Sequence, residues 1–208
     1  MRTRPTVEAR PARGAGAPRD QGIEASAALS QLSLPGETIK GRQVAVLVAP
    51  GFSAPEVEAV REALIAAGVT PVVVSSVLGP IPGADGGAVE ATKTFTTAGS
   101  VLFDAVYVPG GAASVAALRA GAAALQFLRE AHAHYKPIGA TAEGGELVRT
   151  ALAQAEQAEP DSVRGDVMAG VVIAERVAGF PADFTQAIAR HRFWERDATQ
   201  QMGGTVRP

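Results

Sequence analysis

The chain has 208 residues, a formal net charge of -2 and no cysteine. That length suits one sizeable domain with or without a tail, and such a domain buries about 70% of its unfolded surface without a disulfide or metal staple. Disulfides, thiolate metal sites and cysteine nucleophiles are excluded. The charge balance gives no pull toward nucleic acid or an anionic membrane, and no apolar run approaches the ~18 residues of a membrane span.

Residues 1–40 begin with Arg2, Arg4, Arg10 and Arg13 among prolines, alanines and glycines, too poor in bulky apolar residues to offset chain entropy. They read as a disordered tail or linker, with 41–198 as the domain and 199–208 as a flexible C-terminus. Glu8, Pro5 and Pro11 interrupt the arginines and no apolar signal region follows, so a cytoplasmic location is expected.

From Gln43 strand and helix patterns alternate. QVAVLV (43–48) is an unbroken β-branched run, as in a strand covered on both faces. Residues 54–67 place Val57, Val60, Leu64 and Ala67 on one helical stripe that stops at Gly68. TPVVVSS (70–76) predicts a second strand, and the glycine-rich stretch 79–95 predicts an edge hairpin. DAVYVPGG (104–111) is a buried strand ending in a glycine pair. The helical pattern over 112–134 breaks near Gly121. PIGA (137–140) is the next strand, with a helix from about 143 to 153, a late strand over 168–175 and a closing helix over 181–196. This alternation predicts an α/β flavodoxin-like three-layer sandwich around a mostly parallel, doubly wound sheet.

In such sheets ligands sit at the carboxyl ends of strands, so APGFSAPE, VPGG and GATAEGG are expected to converge on one crevice. Ser53 falls in a near-match to a nucleophile elbow, but Pro55 replaces the last glycine, and Ser53 reads better as a helix N-cap. Gly110 and Gly111 could aim backbone N–H groups at an oxyanion or simply make a tight turn. The second elbow reads Thr141-Ala142-Glu143, with alanine at the exposed position where a nucleophile would stand. Glu143 has a structural role at a helix N-terminus without any catalysis. His132 and His134 diverge by about 200° on a helix and make a poor metal pair, and His191 lies beside Phe193 and Trp194. No metal site and no phosphate-binding glycine loop is expected.

VAVLVAPGF, DAVYVPGG and KPIGATAEGG, in that order, resemble the DJ-1/PfpI superfamily, which is related to class I glutamine amidotransferase domains. The superfamily's elbow cysteine falls on Ala142 and its histidine on Glu143. Its supporting glutamate falls near residues 53–55, with Glu56 displaced from the motif. A narrower set, ALS (28–30), TIKGRQVAVLV (38–48), FDAVYVPGG, KPIGATAEGGELV and AIARHRFWER (187–196), is similar to the C-terminal domain of large-subunit haem catalases. That resemblance implies a non-catalytic accessory domain supporting stability or assembly of a hydrogen-peroxide-decomposing haem enzyme, with chaperone-like action a further implication. It also implies no cofactor in this chain, haem being confined to a separate catalase core.

The expected partner is such a core or a second copy of the chain, with no nucleic acid and no membrane, and Phe193 and Trp194 are candidate docking residues. Tyr107 and Tyr135 read as packing residues with a polar tip. Two alternatives stay open: a free-standing hydrolase or lyase using Glu143 or Thr141, and a small-molecule-binding module lined by Ser53, Gly110, Gly111, Thr141 and Glu143.

Overall fold

The computed structural model describes residues 38–156 and 168–196. Six strands form one parallel sheet: β1 (Gln43–Leu47), β2 (Thr70–Ser75), β5 (Lys93–Thr94), β6 (Ala105–Val108), β7 (Ile138–Thr141) and β8 (Val171–Ala174), in the order β5-β2-β1-β6-β7-β8. The chain starts at the centre, winds out through β2 to β5, then returns to β1's other side as β6. This reversal opens a crevice between the carboxyl ends of β1 and β6.

The uninterrupted apolar run of β1 is explained by what covers it. Ala45 and Leu47 point into a core shared with Leu118, Leu125, Leu128, Leu147 and Leu152. These come from α2 (Ala112–Ala120), α3 (Ala122–Ala133) and α4 (Gly144–Glu156). Val44, Val46 and Val48 enter a second core with Val57, Val60 and Leu64 of α1 (Ala54–Ala66) and Phe180, Phe184 and Ile188 of α5 (Phe180–Arg190). Successive side chains of a strand face opposite ways, so helices on both sides leave no position for a polar residue. The expected three-layer architecture is what these residues build.

Glycine sets one close approach between layers. A Cβ on Gly139 would lie 2.7 Å from the Phe180 ring and 2.8 Å from that of Phe184, so α5 packs against β7 only because that position has no side chain. Phe180 and Phe184 stack with centroids 5.3 Å apart, and Tyr107 lies 5.4 Å from Phe180.

Several element ends differ from the sequence expectation. The hairpin over 79–95 divides: β3 (Gly79–Pro82) and β4 (Ala88–Ala91) pair antiparallel as a small separate sheet, while β5 joins the edge of the main one. The closing helix ends at Arg190, six residues early, because His191 adopts φ +66 and turns the chain back. A short 3-10 turn follows at Trp194–Arg196. Phe193, read as a docking residue, is 2% exposed and packs in the interior, with the Arg190 and Arg196 guanidinium groups over its ring. Trp194 is half-buried and stacks on Tyr135 at 4.9 Å. The tail and terminus predicted at 1–40 and 199–208 lie outside the described residues except for 38–40. No helix among the described residues is long and apolar enough to cross a membrane.

Candidate functional site: a crevice at the carboxyl edge of the sheet

The loops after β1, β6 and β7 meet at the strand switch point. Ser53 N–H donates to the Gly110 carbonyl at 2.9 Å, and the Ala142 methyl lies 2.9 Å from where a Gly110 Cβ would be. Any side chain at Gly110 would also sit within about 3 Å of carboxylate oxygens from both Glu56 and Glu143. Gly111 has φ +115 and presses against the backbone of Gly51 and Phe52, which a Cβ would not allow. The glycine pair thus serves close approach as well as turning.

Each backbone donor of that pair is taken by a carboxylate. Gly110 N–H donates to Glu56 Oε2 at 2.9 Å and Gly111 N–H to Glu143 Oε2 at 3.0 Å. Glu143 stands just ahead of α4, yet its carboxylate binds the residue that opens α2, so it caps a neighbouring helix. The Gly111 N–H holds the Glu143 carboxyl below the usual carboxylate range.

Behind the carboxylates runs a buried hydroxyl chain. Thr141, fully buried, donates its hydroxyl hydrogen bond to Glu56 Oε2 at 2.5 Å, which leaves its oxygen to accept from the Tyr107 hydroxyl at 2.8 Å. Burial is the main reason the Tyr107 phenol is pushed well above its ordinary value. The parallel register of β6 and β7, with Tyr107 paired to Gly139, brings the ring within reach of Thr141 two residues on.

Ala142 sits at φ +45, a left-handed conformation that costs a non-glycine residue of order 1–3 kcal/mol. The elbow geometry is present, and its side chain is a methyl group. Thr141 points inward to Glu56, and Glu143 is exposed with Oε2 engaged. Ser53 occupies the N-cap position of α1 but makes no side-chain capping bond, so the predicted capping role is not carried by its hydroxyl; its backbone N–H ties the first loop to Gly110 instead. Sequence reasoning missed Glu56 as a crevice residue. The motif leaves it displaced, yet its position in the first turn of α1 carries its carboxylate over the strand ends. The cue available was an acidic residue one step past Pro55 at a helix start.

The histidines lie elsewhere, His132 on α3, His134 just past its end and His191 after α5, and no group of three metal-ligating side chains gathers among the described residues.

Comparison with known proteins agrees with this fold. The family described as the C-terminal domain found in long catalases matches residues 40–198. "Catalase HPII" of Mycobacterium avium is 36% identical over 181 residues, covering 85% of this chain and 26% of that protein. "Catalase-2" of Bacillus subtilis is 37% identical over 177 residues, covering 84% of this chain and 24% of that protein. The chain therefore spans about a quarter of the length of these relatives. Among solved structures, oxidised Toxoplasma gondii DJ-1 superposes with a TM-score of 0.55 at 19% identity, over 79% of this chain and all of that one, which is a likeness of fold.

Proposed function

The chain belongs to the family of C-terminal domains found in long catalases, and from that premise we propose that it is a non-catalytic accessory module supporting the stability or assembly of a peroxide-decomposing haem enzyme. The observation that carries this reading is Ala142. It holds the strained conformation of a nucleophile elbow at φ +45 and offers a methyl group there. The surrounding polar groups support the same reading, because the Gly110 and Gly111 donors that could stabilise an oxyanion are already bonded to Glu56 and Glu143. A site whose donors and acceptors are matched to one another holds three loops together, which is a structural task.

In this reading haem belongs to a separate core. The residues here do not suit it: the Tyr107 hydroxyl is buried against Thr141, and Tyr135 stacks on Trp194. No step of peroxide chemistry is assigned to this chain. The partner is a catalase core, and the setting is the cytoplasm.

The test is a mild pull-down of the tagged chain from its own cell extract, read by Soret absorbance and by oxygen release from peroxide. The reading requires haem and peroxide decomposition to co-elute with the chain. A colourless eluate without oxygen release, from an extract that itself contains catalase activity, would overturn it.

A further inference from the structure

A second polar cluster lies at the opposite, amino-terminal edge of the sheet. Val44 pairs with Ala105, and Val106 with Ile138, so the positions just ahead of β1, β6 and β7 are neighbours. They carry Arg42, Asp104 and Lys136. After α5 the chain crosses this edge between two anchors. At one, Arg42 Nη1 donates to the Ile188 carbonyl; at the other, Phe193 N–H donates to the Tyr135 carbonyl at 2.8 Å. His191 and Arg192 lie between those anchors, and both are half-buried, as is Arg42.

The charges at this edge do not cancel. Asp104 is the acidic group that acts on both His191 and Arg192, and its Oδ2 already accepts from Gln43 N–H at 2.9 Å. Glu130 faces Lys136 from α3, but its oxygens accept from Ser100 Oγ at 3.4 Å and Gln126 Nε2 at 2.9 Å. Lys136 is buried, with Nζ bonded to the Ser100 carbonyl at 2.6 Å, so it adds positive potential from below. Arg42 and Arg192 form no ion pair with a carboxylate among the described residues. Arg192 Nη1 donates to the His191 carbonyl at 2.9 Å and approaches the His191 ring at 3.5 Å, within its own turn. Burial, followed by the neighbouring cations, lowers the proton affinity of His191. Arg192 is lowered by burial and by Arg42, against the opposing pull of Asp104.

We propose that Arg42, His191 and Arg192 form a binding site for a compact oxyanion, a phosphate or carboxylate group, at the amino-terminal edge of the sheet. Each guanidinium is a planar fork with five N–H donors, and the bonds described use only one on each. Such forks match carboxylate and phosphate oxygens in a bidentate fashion, and a half-buried setting weakens the screening that makes exposed charges ineffective. A bound anion would offset the repulsion between the two guanidiniums and gain a third donor from the His191 ring. This site lies at the opposite end of the strands from the crevice and shares no residue with it, so it is separate from the accessory role proposed above.

The test is thermal unfolding of the whole chain with sodium phosphate or sodium acetate against sodium chloride at matched ionic strength. A saturable rise in Tm of a few degrees is expected with at least one oxyanion by about 50 mM, and not with chloride. Phosphate alone acting identifies a phosphoryl ligand, and acetate acting as well identifies an oxyanion site open to carboxylates. Arg192→Gln should remove the shift, while Arg190→Gln, which breaks an exposed pair with Glu195, should keep it. Arg192→Lys preserves the charge without the fork and should weaken the response about tenfold; it decides the matter if Arg192→Gln does not fold. No saturable shift with either anion, or a full shift retained in the Arg192 variants, would overturn the proposal.

Discussion

The two ends of the parallel sheet handle polar groups in opposite ways. At the carboxyl end, Tyr107, Thr141, Glu56, Gly110, Gly111 and Glu143 form a set in which hydroxyls and N–H groups find carboxylate oxygens inside the same crevice. At the amino end, Arg42, Lys136 and Arg192 outnumber the carboxylates near them, and they are steadied mainly by backbone carbonyls. A network whose members satisfy one another adds stability and leaves little for a ligand. Cations held by neutral carbonyls keep their charge uncancelled, so the end without a nucleophile motif is the one with unmet electrostatic demand.

The sharpest way to break this contrast is at Arg196. Its guanidinium is buried and donates to the carbonyls of Ala169 at 2.6 Å, His132 at 3.1 Å and Lys136 at 3.1 Å, joining the approaches to β7 and β8 to the end of α3. Burial, partly opposed by Glu195, lowers its proton affinity to about 10, so it stays charged at neutral pH. Arg196→Ala strands three acceptors and is expected to cost about 3–5 kcal/mol in urea unfolding. A loss below about 1 kcal/mol would mean that the amino edge is not held through these carbonyls.

At the carboxyl edge the corresponding change is Glu56→Ala, which leaves the Gly110 N–H and the Thr141 hydroxyl without their acceptor. The expected loss is about 2–3 kcal/mol. Thr141→Val in the same background should then cost less than it does in the parent, since the bond to Glu56 is already gone and only the one with the Tyr107 hydroxyl remains to be lost. Full additivity of the two changes would show that the crevice is not one network.

Lys136 tests the excess charge at the amino edge. Burial, with a smaller push from Arg192, lowers its pKa to about 8 from an unfolded value near 10.4. Folding therefore disfavours its charged form. That penalty is full below pH 8 and fades as pH rises from about 8 to 10.4. Lys136→Met should stabilise the chain by about 1 kcal/mol at pH 7, with the advantage shrinking across that window. An advantage that does not change with pH would remove the electrostatic account.

The smallest effect is expected at Glu143. Its folded pKa is depressed, so its contribution is present above the unfolded value of about 4.3 and is lost as pH falls through the lower folded value. The side chain is exposed and water screens it, so Glu143→Gln should cost less than about 1 kcal/mol at pH 7 and nothing near pH 2. A constant difference between variant and parent over that range would assign the effect to shape and not to charge.

Much of the fold was legible because its signals are local. The buried strand QVAVLV, the Val57-Val60-Leu64 stripe, the stop at Gly68 and the break at Gly121 are each set by a few consecutive residues, and each appears where the pattern places it. The end of α5 was not legible. Nothing in HRFW opposes a helix locally; the turn at His191 places Phe193 against Gly170 and its N–H on the Tyr135 carbonyl, contacts more than twenty residues away in sequence.

The sequence by itself determined that this protein is an α/β sandwich with an alanine at its elbow, because residue type and hydrophobic period are properties of the chain alone. Only the tertiary structure decided that Glu56 belongs to the crevice, that Glu143 caps another helix, and that Phe193 is core. It also decided that Arg42 and Arg192 both come to the far edge of the sheet, one bonded to the Ile188 carbonyl and the other to that of His191. Hydrogen bonds and charges act over a few ångströms of space regardless of chain separation, and strand order and register set which distant residues come that close.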